Sequence, residues 1–276
     1  GGIYTLVDAM NGDISGADYA ARVPMLVDYQ NWAGVFAVRH FTCTWDAYGS
    51  NIGKNSHIFK PRSGPWKMTF WDMSQALGAN STPWFKNSEP SAALFANTED
   101  PVLGNKFYQH PPFRRAFLSL IKEAVNGPLN YSVCGPRMNE YYTVLTNNGI
   151  AAKSPEEATG STSGYPPQLR TWIETRRTNL LAQLAPVEVG FAITNNNGAP
   201  FSTPQTSVKL GGTAPVEIAE LTANGVSCAA TFPTVTNWMI EIALVPGANS
   251  ITVAGLDRRN NVVTQDTIEV TRTGTN

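Results

Sequence analysis

The chain has little of what soft metal sites or covalent staples require. Its three cysteines, Cys43, Cys134 and Cys228, lie far apart and have no C-x-x-C spacing, so neither structural zinc nor a disulfide framework is implied. Cys43 reads as a small buried hydrophobe. With three histidines in 276 residues, a His-rich metal centre is excluded. Net charge is −1 and no basic run occurs, which removes the positive cluster that nucleic acid or an anionic membrane would need. The longest apolar run, Ala33 to Val38, is far short of a membrane span. The glycine-rich stretch from Thr159 to Gly164 is not followed by Gly-Lys-Ser/Thr, so it is no phosphate loop, and it holds no G-x-S-x-G nucleophile motif. The start, Gly1-Gly2-Ile3, lacks an initiator Met and a signal peptide and reads as a processed or truncated product.

What is present divides near Pro186. Upstream, spacing predicts helices over about 17–27, interrupted by Pro24, and over 28–40, where Asp28 caps the start and Tyr29, Trp32, Val35, Phe36 and Arg39 share a face. Further helices are predicted over 113–125, 136–146 and 166–184. In the first of these Arg114 and Arg115 read as a solvated face, in the second Met138, Tyr141, Tyr142 and Leu145 face inward, and in the third Arg176 and Arg177 read as ion-paired. Residues 79–112 carry five prolines and read as an irregular covering loop, pinned by Trp84, Phe85, Phe95, Phe107 and Tyr108. Residues 1–17 read as a leader in which Ile3 to Val7 form a strand. From Val187 to Thr271 short alternating runs between Asn, Gly and Pro turns predict about seven strands, the pattern of an immunoglobulin-type β-sandwich with Trp238 in its core.

The chemistry concentrates in residues 41–78. His57-Ile58-Phe59 and Trp66 to Trp71 flank the turn formers Pro61 to Pro65, which predicts a β-hairpin. A turn centred on Ser63-Gly64 sets Asn55 opposite Asp72, with Cβ atoms roughly 4.5–5.5 Å apart. The loop Trp45 to Ser50 enters the same end and carries Asp46. Two carboxylates and an amide suit a hard cation such as Mg²⁺, and a carboxylate set apart from the cation can act as a base. Taken singly, Asp46 is equally a turn residue, and Asp72 the cap of a helix beginning near Met73. His40 and His57 read as structural histidines. The order Asp, Asn, hairpin, Asp is that of the kinase catalytic loop and metal-binding aspartate, although H-R-D-x-x-x-x-N and D-F-G are both absent.

The wording WDAYGSNIGKNSHIFKP followed by WKMTFWDMSQALG resembles the CotH kinase family, named for spore coat protein H. The resemblance runs from about Asp18 to Leu184 and includes FRRAFLSLIKEAVNGPL and Trp172-Ile173-Glu174-Thr175-Arg176. It implies over residues 1–185 a mostly helical, protein-kinase-like C-terminal lobe with a central hairpin; with the immunoglobulin-like β-sandwich that the strand pattern predicts over 186–276, the fold class is α+β. It further implies Asp46 as catalytic base, Asn55 and Asp72 as metal ligands, and ATP with Mg²⁺ or Mn²⁺ as cofactors. Three departures stand out. Asp46 and Asn55 are nine residues apart, against about five in the kinase loop. Ser74 replaces the second acid of the family's W-D-x-D, and the nucleotide-binding lobe that precedes this region is expected upstream in cis.

Two functions follow, with a weaker third. One is a secreted or surface-associated bacterial phosphotransferase acting on a protein or cell-surface hydroxyl; low Lys, abundant Asn, Thr and Gly, and the β module suit that location. The second is a non-catalytic adhesion or structural protein built on a degenerate kinase-like lobe. The third is a metal-dependent hydrolase using the same acids.

Overall fold

The computed structural model describes residues 2–11, 16–49, 54–78, 89–95, 106–150 and 167–274. The expected aromatic pins Trp84 and Phe85 and the glycine-rich stretch after Thr159 lie outside them. The chain divides into two compact units, Gly1–Leu184 and Ala185–Asn276.

The first unit is built on α3 (Tyr29–Thr42), preceded by α1 (Ile3–Asn11) and α2 (Gly16–Leu26), the latter with Pro24 inside it. The strand expected at Ile3 to Val7 is instead the start of α1. Leu6, Ala9 and Met10 are buried at helical spacing, and the Tyr19 hydroxyl of α2 donates to Met10 Sδ at 3.7 Å. The start of α3 is fixed as its sequence dictates: Asp28 caps it by accepting from the Asn31 amide at 3.0 Å.

A hairpin of β1 (Ser56–Phe59) and β2 (Lys67–Phe70) follows α3, then α4 (Pro111–Asn126), α5 (Tyr131–Asn147) and α6 (Pro167–Leu184). Pro111 and Pro112, assigned from composition to the irregular segment, start α4, where their missing amides cost nothing. Packing of α3 on α4 is aromatic: Tyr29 lies 4.9 Å from Phe113, and His40 lies 5.0 Å from Phe117, ring centre to ring centre.

Further expectations about this unit fail. Arg115 is buried rather than solvated, and the Arg114 guanidinium lies over the Phe95 ring, 4.2 Å from its centre. Helix α5 begins at Tyr131 because the Asn130 side chain caps it; Tyr141 does not face inward but is 57% exposed. Arg176 of α6 is buried without a carboxylate among the described residues. Its guanidinium donates to the carbonyls of His40 (2.7 Å), Pro90 (3.2 Å) and Ala92 (2.5 Å) and to Asn179 Oδ1 (3.2 Å). Several carbonyl dipoles can solvate a buried guanidinium in place of a counter-ion. Arg177 likewise donates to the Val125 carbonyl, at 2.7 Å.

His40 is structural. Its Nε2 lies 2.6 Å from Arg39 Nη2 and 2.8 Å from the Tyr108 hydroxyl. A guanidinium only donates, so Nε2 accepts and the ring is neutral. Burial, reinforced by the charges of Arg39 and Arg176, holds its pKa well below the usual histidine value.

The second unit consists of β3 (Ala192–Ile193), β4 (Phe201–Thr203), β5 (Ser207–Thr213), β6 (Glu220–Ala223), β7 (Val226–Ser227), β8 (Asn237–Ala243), β9 (Gly247–Leu256) and β10 (Val262–Arg272). They form two sheets, ordered β4-β10-β9-β6-β7 and β3-β5-β8. All pairings are antiparallel except β4 with β10. Alternate residues of both sheets, including Leu210, Trp238 and Ile240 from one and Leu221, Val253 and Val270 from the other, make a single core. Trp238 is fully buried and donates to the Thr213 carbonyl at 2.9 Å. Only glycine fits at position 212, where a Cβ would lie 1.9 Å from the Ala192 carbonyl and 2.4 Å from the Trp238 ring. No helix among the described residues is long and apolar enough to cross a membrane.

Two outcomes are expected. Arg176→Met, which removes the guanidinium from the carbonyls of His40, Pro90 and Ala92 and leaves that of Pro90 without its donor among the described residues, should destabilise the first unit by about 3 kcal/mol in urea unfolding. Because the fold holds His40 neutral, its contribution is fully present above the unfolded pKa of about 6.5 and is lost as pH falls below it. Unfolding free energy measured from pH 7 to 5 should therefore decline less steeply for His40→Gln than for the parent, by up to about 1.4 kcal/mol per pH unit.

Candidate active site

The end of α3 sets out the site. Cys43 takes a left-handed conformation (φ 53°), and its amide and that of Thr44 return to the last carbonyls of the helix, Thr44 to Arg39 at 3.0 Å. Cys43 is buried; its thiol donates to the Glu89 carbonyl at 3.2 Å, and burial pushes it up to about 11. The chain then runs through Asp46 to Tyr48, whose amide donates to the Lys54 carbonyl at 2.8 Å and brings the two sides of the loop together.

Asp46 and Asn55 meet there. Asn55 Nδ2 donates to the Asp46 main-chain carbonyl at 2.6 Å and to the Asp46 carboxylate, Oδ2, at 3.2 Å. The Lys54 ammonium lies 2.8 Å from Asp46 Oδ1. Asn55 itself is left-handed (φ 56°), a conformation that Asn tolerates better than most residues, and it turns the chain from the loop into β1.

The hairpin forms with a different register from the one expected. Ser56 pairs with Phe70 and Phe59 with Lys67, so the turn is centred on Ser63 and Asn55 stands opposite Trp71, whose amide donates to the Asn55 carbonyl at 3.1 Å. One constraint on β2 lies outside the hairpin. Trp66 is held by the end of α2: its amide donates to the Leu26 carbonyl at 2.6 Å, and its carbonyl accepts from Asp28 at 2.9 Å. That engagement holds Trp66 outside the strand pair, and the pairing that begins at Lys67 is one residue off the expected register.

Asp72 therefore lies one residue beyond the last cross-strand contact, at the same end of the hairpin as Asp46 and Asn55 but touching neither. It is exposed and left-handed (φ 50°), and its Oδ1 accepts from the Ser74 amide at 2.9 Å. The helix expected from Met73 does not form. Turns take its place, and Leu77, at φ 57°, donates its amide to the Thr42 carbonyl at 2.7 Å. The Ser74 hydroxyl and amide, followed by the Lys54 charge, hold the Asp72 carboxyl below the usual range. Ser74, where the family pattern has an acid, thus binds the carboxylate of Asp72.

Sequence reasoning missed Lys54. The signal was available, since Lys54 immediately precedes Asn55 and no acidic residue occurs between Ala47 and Trp71. His57 is exposed on β1 and meets Trp71 edge to face, 5.4 Å between ring centres.

The donor set fits a hard cation. Asn55 holds Asp46 through its Nδ2, its Oδ1 has no partner among the described residues, and Asp72 adds a carboxylate beside that of Asp46. Among the described residues no three His, Cys, Asp or Glu gather, so a cation here would need water or substrate oxygens as well. A cavity of about 520 Å³ lies elsewhere, between the start of α5 and α6, lined by Tyr131, Asn139, Arg170 and Arg177, away from this chemistry.

No curated protein matches the chain. A solved structure described as Clostridium thermocellum CbhA fibronectin(III)-like modules matches with 16% identity over 32% of this chain and 100% of that one, at a TM-score of 0.25. The family model for CotH kinase protein matches residues 2–180, which contain α1 to α5, the hairpin, Asp46, Asn55 and Asp72. By that match over most of its length, the chain belongs to the CotH kinase family.

Proposed function

We propose that the chain is a phosphotransferase of the CotH type, transferring the γ-phosphoryl of ATP to a protein hydroxyl with Mg²⁺ or Mn²⁺, on the outside of a bacterial cell. The observation that carries this reading is the contact of Asn55 with Asp46, in a member of a kinase family. Asp46 serves as base. Its carboxylate has about four lone-pair positions, of which Asn55 uses one and, in the metal-free protein, Lys54 another, so it can accept the proton of an acceptor hydroxyl. As that O–H bond breaks, the acceptor oxygen bonds to the γ-phosphorus, the bond from phosphorus to the β,γ-bridging oxygen breaks, and ADP departs. Asn55 fixes Asp46 through Nδ2, and its Oδ1 together with Asp72, held by Ser74, would hold the cation. When bound, the divalent cation would neutralise the charge on the phosphate oxygens.

A non-catalytic role in adhesion or surface structure is favoured by one observation: Ser74 stands in place of the family's second acid. The β unit, with its two sheets around one core, would serve either role as a spacer or docking module.

Titration calorimetry of Mg²⁺ and Mn²⁺, with and without ATP, separates the two readings. Metal binding that ATP strengthens and Asp72→Ala abolishes is the expected result. Asp46→Asn should retain metal binding yet reduce phosphate transfer to acceptor protein by roughly 10²–10⁴-fold. Absence of metal binding by a well-folded chain would contradict phosphotransfer. Phosphate release from ATP without any acceptor would point instead to a hydrolase.

A further inference from the structure

Asp46 is mostly enclosed while Lys54 is open. The side chain of Asp46 is 14% exposed and that of Lys54 is 56% exposed, and their charged atoms are 2.8 Å apart. A carboxylate so enclosed needs a compensating charge, and among the described residues the only cation it contacts is Lys54. The stem of Lys54 is flexible and faces solvent, and its neighbour in sequence, Asn55, has an Oδ1 with no partner among the described residues. The surrounding segment is uniformly basic: from Ala47 to Trp71 it carries Lys54, Lys60, Arg62 and Lys67 and no acid. A divalent cation arriving at Asn55 and Asp72 would therefore meet an ammonium already seated on the third oxygen group of the site. Two cations within a few ångströms repel unless one moves, and the exposed one on the flexible stem is free to do so.

We propose that Lys54 is the resident counter-ion of this site, neutralising Asp46 when no metal is bound and yielding its place when a divalent cation binds at Asn55 and Asp72. Lys54 is then a positioning residue that works against the metal: it preserves the orientation of Asp46 in the metal-free protein and weakens metal affinity. The inference rests on the metal-dependent reading above and adds an effect that reading alone does not predict. Removing a basic residue beside the site should tighten cation binding without changing a single ligand.

The test is Mn²⁺ binding without nucleotide, followed by the loss of the free Mn²⁺ paramagnetic resonance signal, for the parent chain, Lys54→Gln, Lys54→Arg and Lys54→Gln with Asp72→Ala. Lys54→Gln should bind Mn²⁺ roughly two- to tenfold more tightly than the parent. Lys54→Arg, which keeps the charge, should match the parent, and the double variant should lose binding, locating the effect at this site. Circular dichroism melts establish that each variant is folded; an exposed lysine is replaceable without unfolding. Equal or weaker Mn²⁺ binding by Lys54→Gln, beside clear binding by the parent, overturns the counter-ion role alone. No Mn²⁺ binding by any folded variant overturns the metal-dependent reading and this inference together.

Discussion

A helix end has more carbonyls than partners, and the way α3 resolves that shortage organises the first unit. The carbonyls from Arg39 to Thr42 cannot be satisfied by the helix itself. Arg39 accepts from Thr44, His40 accepts from the buried guanidinium of Arg176, and Thr42 accepts from Leu77. Each partner comes from a different part of the chain. Thr44 opens the loop that carries Asp46, Leu77 closes the turns that follow Asp72, and Arg176 ties the same helix end to α6. The two acidic residues of the candidate site are thus anchored, from opposite sides in sequence, to one stretch of backbone.

The left-handed residues fall where this arrangement bends the chain. Cys43, Asn55, Asp72 and Leu77 all have positive φ within one short region. Asn and Asp tolerate that conformation, whereas for Cys and Leu it costs free energy that surrounding structure must offset. At Cys43 the offset comes from the cap bonds and a buried thiol; at Leu77 it comes from the bond to Thr42. Strain held at a site by its supports is compatible with function, and here it delivers Asn55 and Asp72 to the same end of a hairpin.

Local signals in the sequence were read correctly where the partners lie nearby. Asp28 announced the start of α3, alternating runs announced the strands around Trp238, and turn formers announced the hairpin. What failed depended on distant partners. Trp66, expected in the second strand, is engaged instead by Leu26 and Asp28, some forty residues upstream, which no hairpin rule contains. The strand assigned to Ile3 became a helix because Leu6 and Met10 had α2 to pack on. Arg115 and Arg176 were read as solvated or ion-paired, since composition cannot show a guanidinium surrounded by carbonyls or closed over by packing. Lys54 was passed over because a lone lysine beside an asparagine carries no motif; its role emerges only once Asp46 folds back over the loop.

The central claim is that Asn55 and Asp72 hold a divalent cation beside the base Asp46, with Lys54 as the counter-ion that yields to it. A crystal of the chain grown with Mn²⁺ and a non-hydrolysable ATP analogue, measured at the manganese absorption edge, tests it most directly. The account predicts an anomalous peak within ligand distance of Asn55 Oδ1 and an Asp72 oxygen, with the Lys54 ammonium withdrawn from Asp46. A well-ordered site with no peak there, and Lys54 still paired with Asp46, would contradict it.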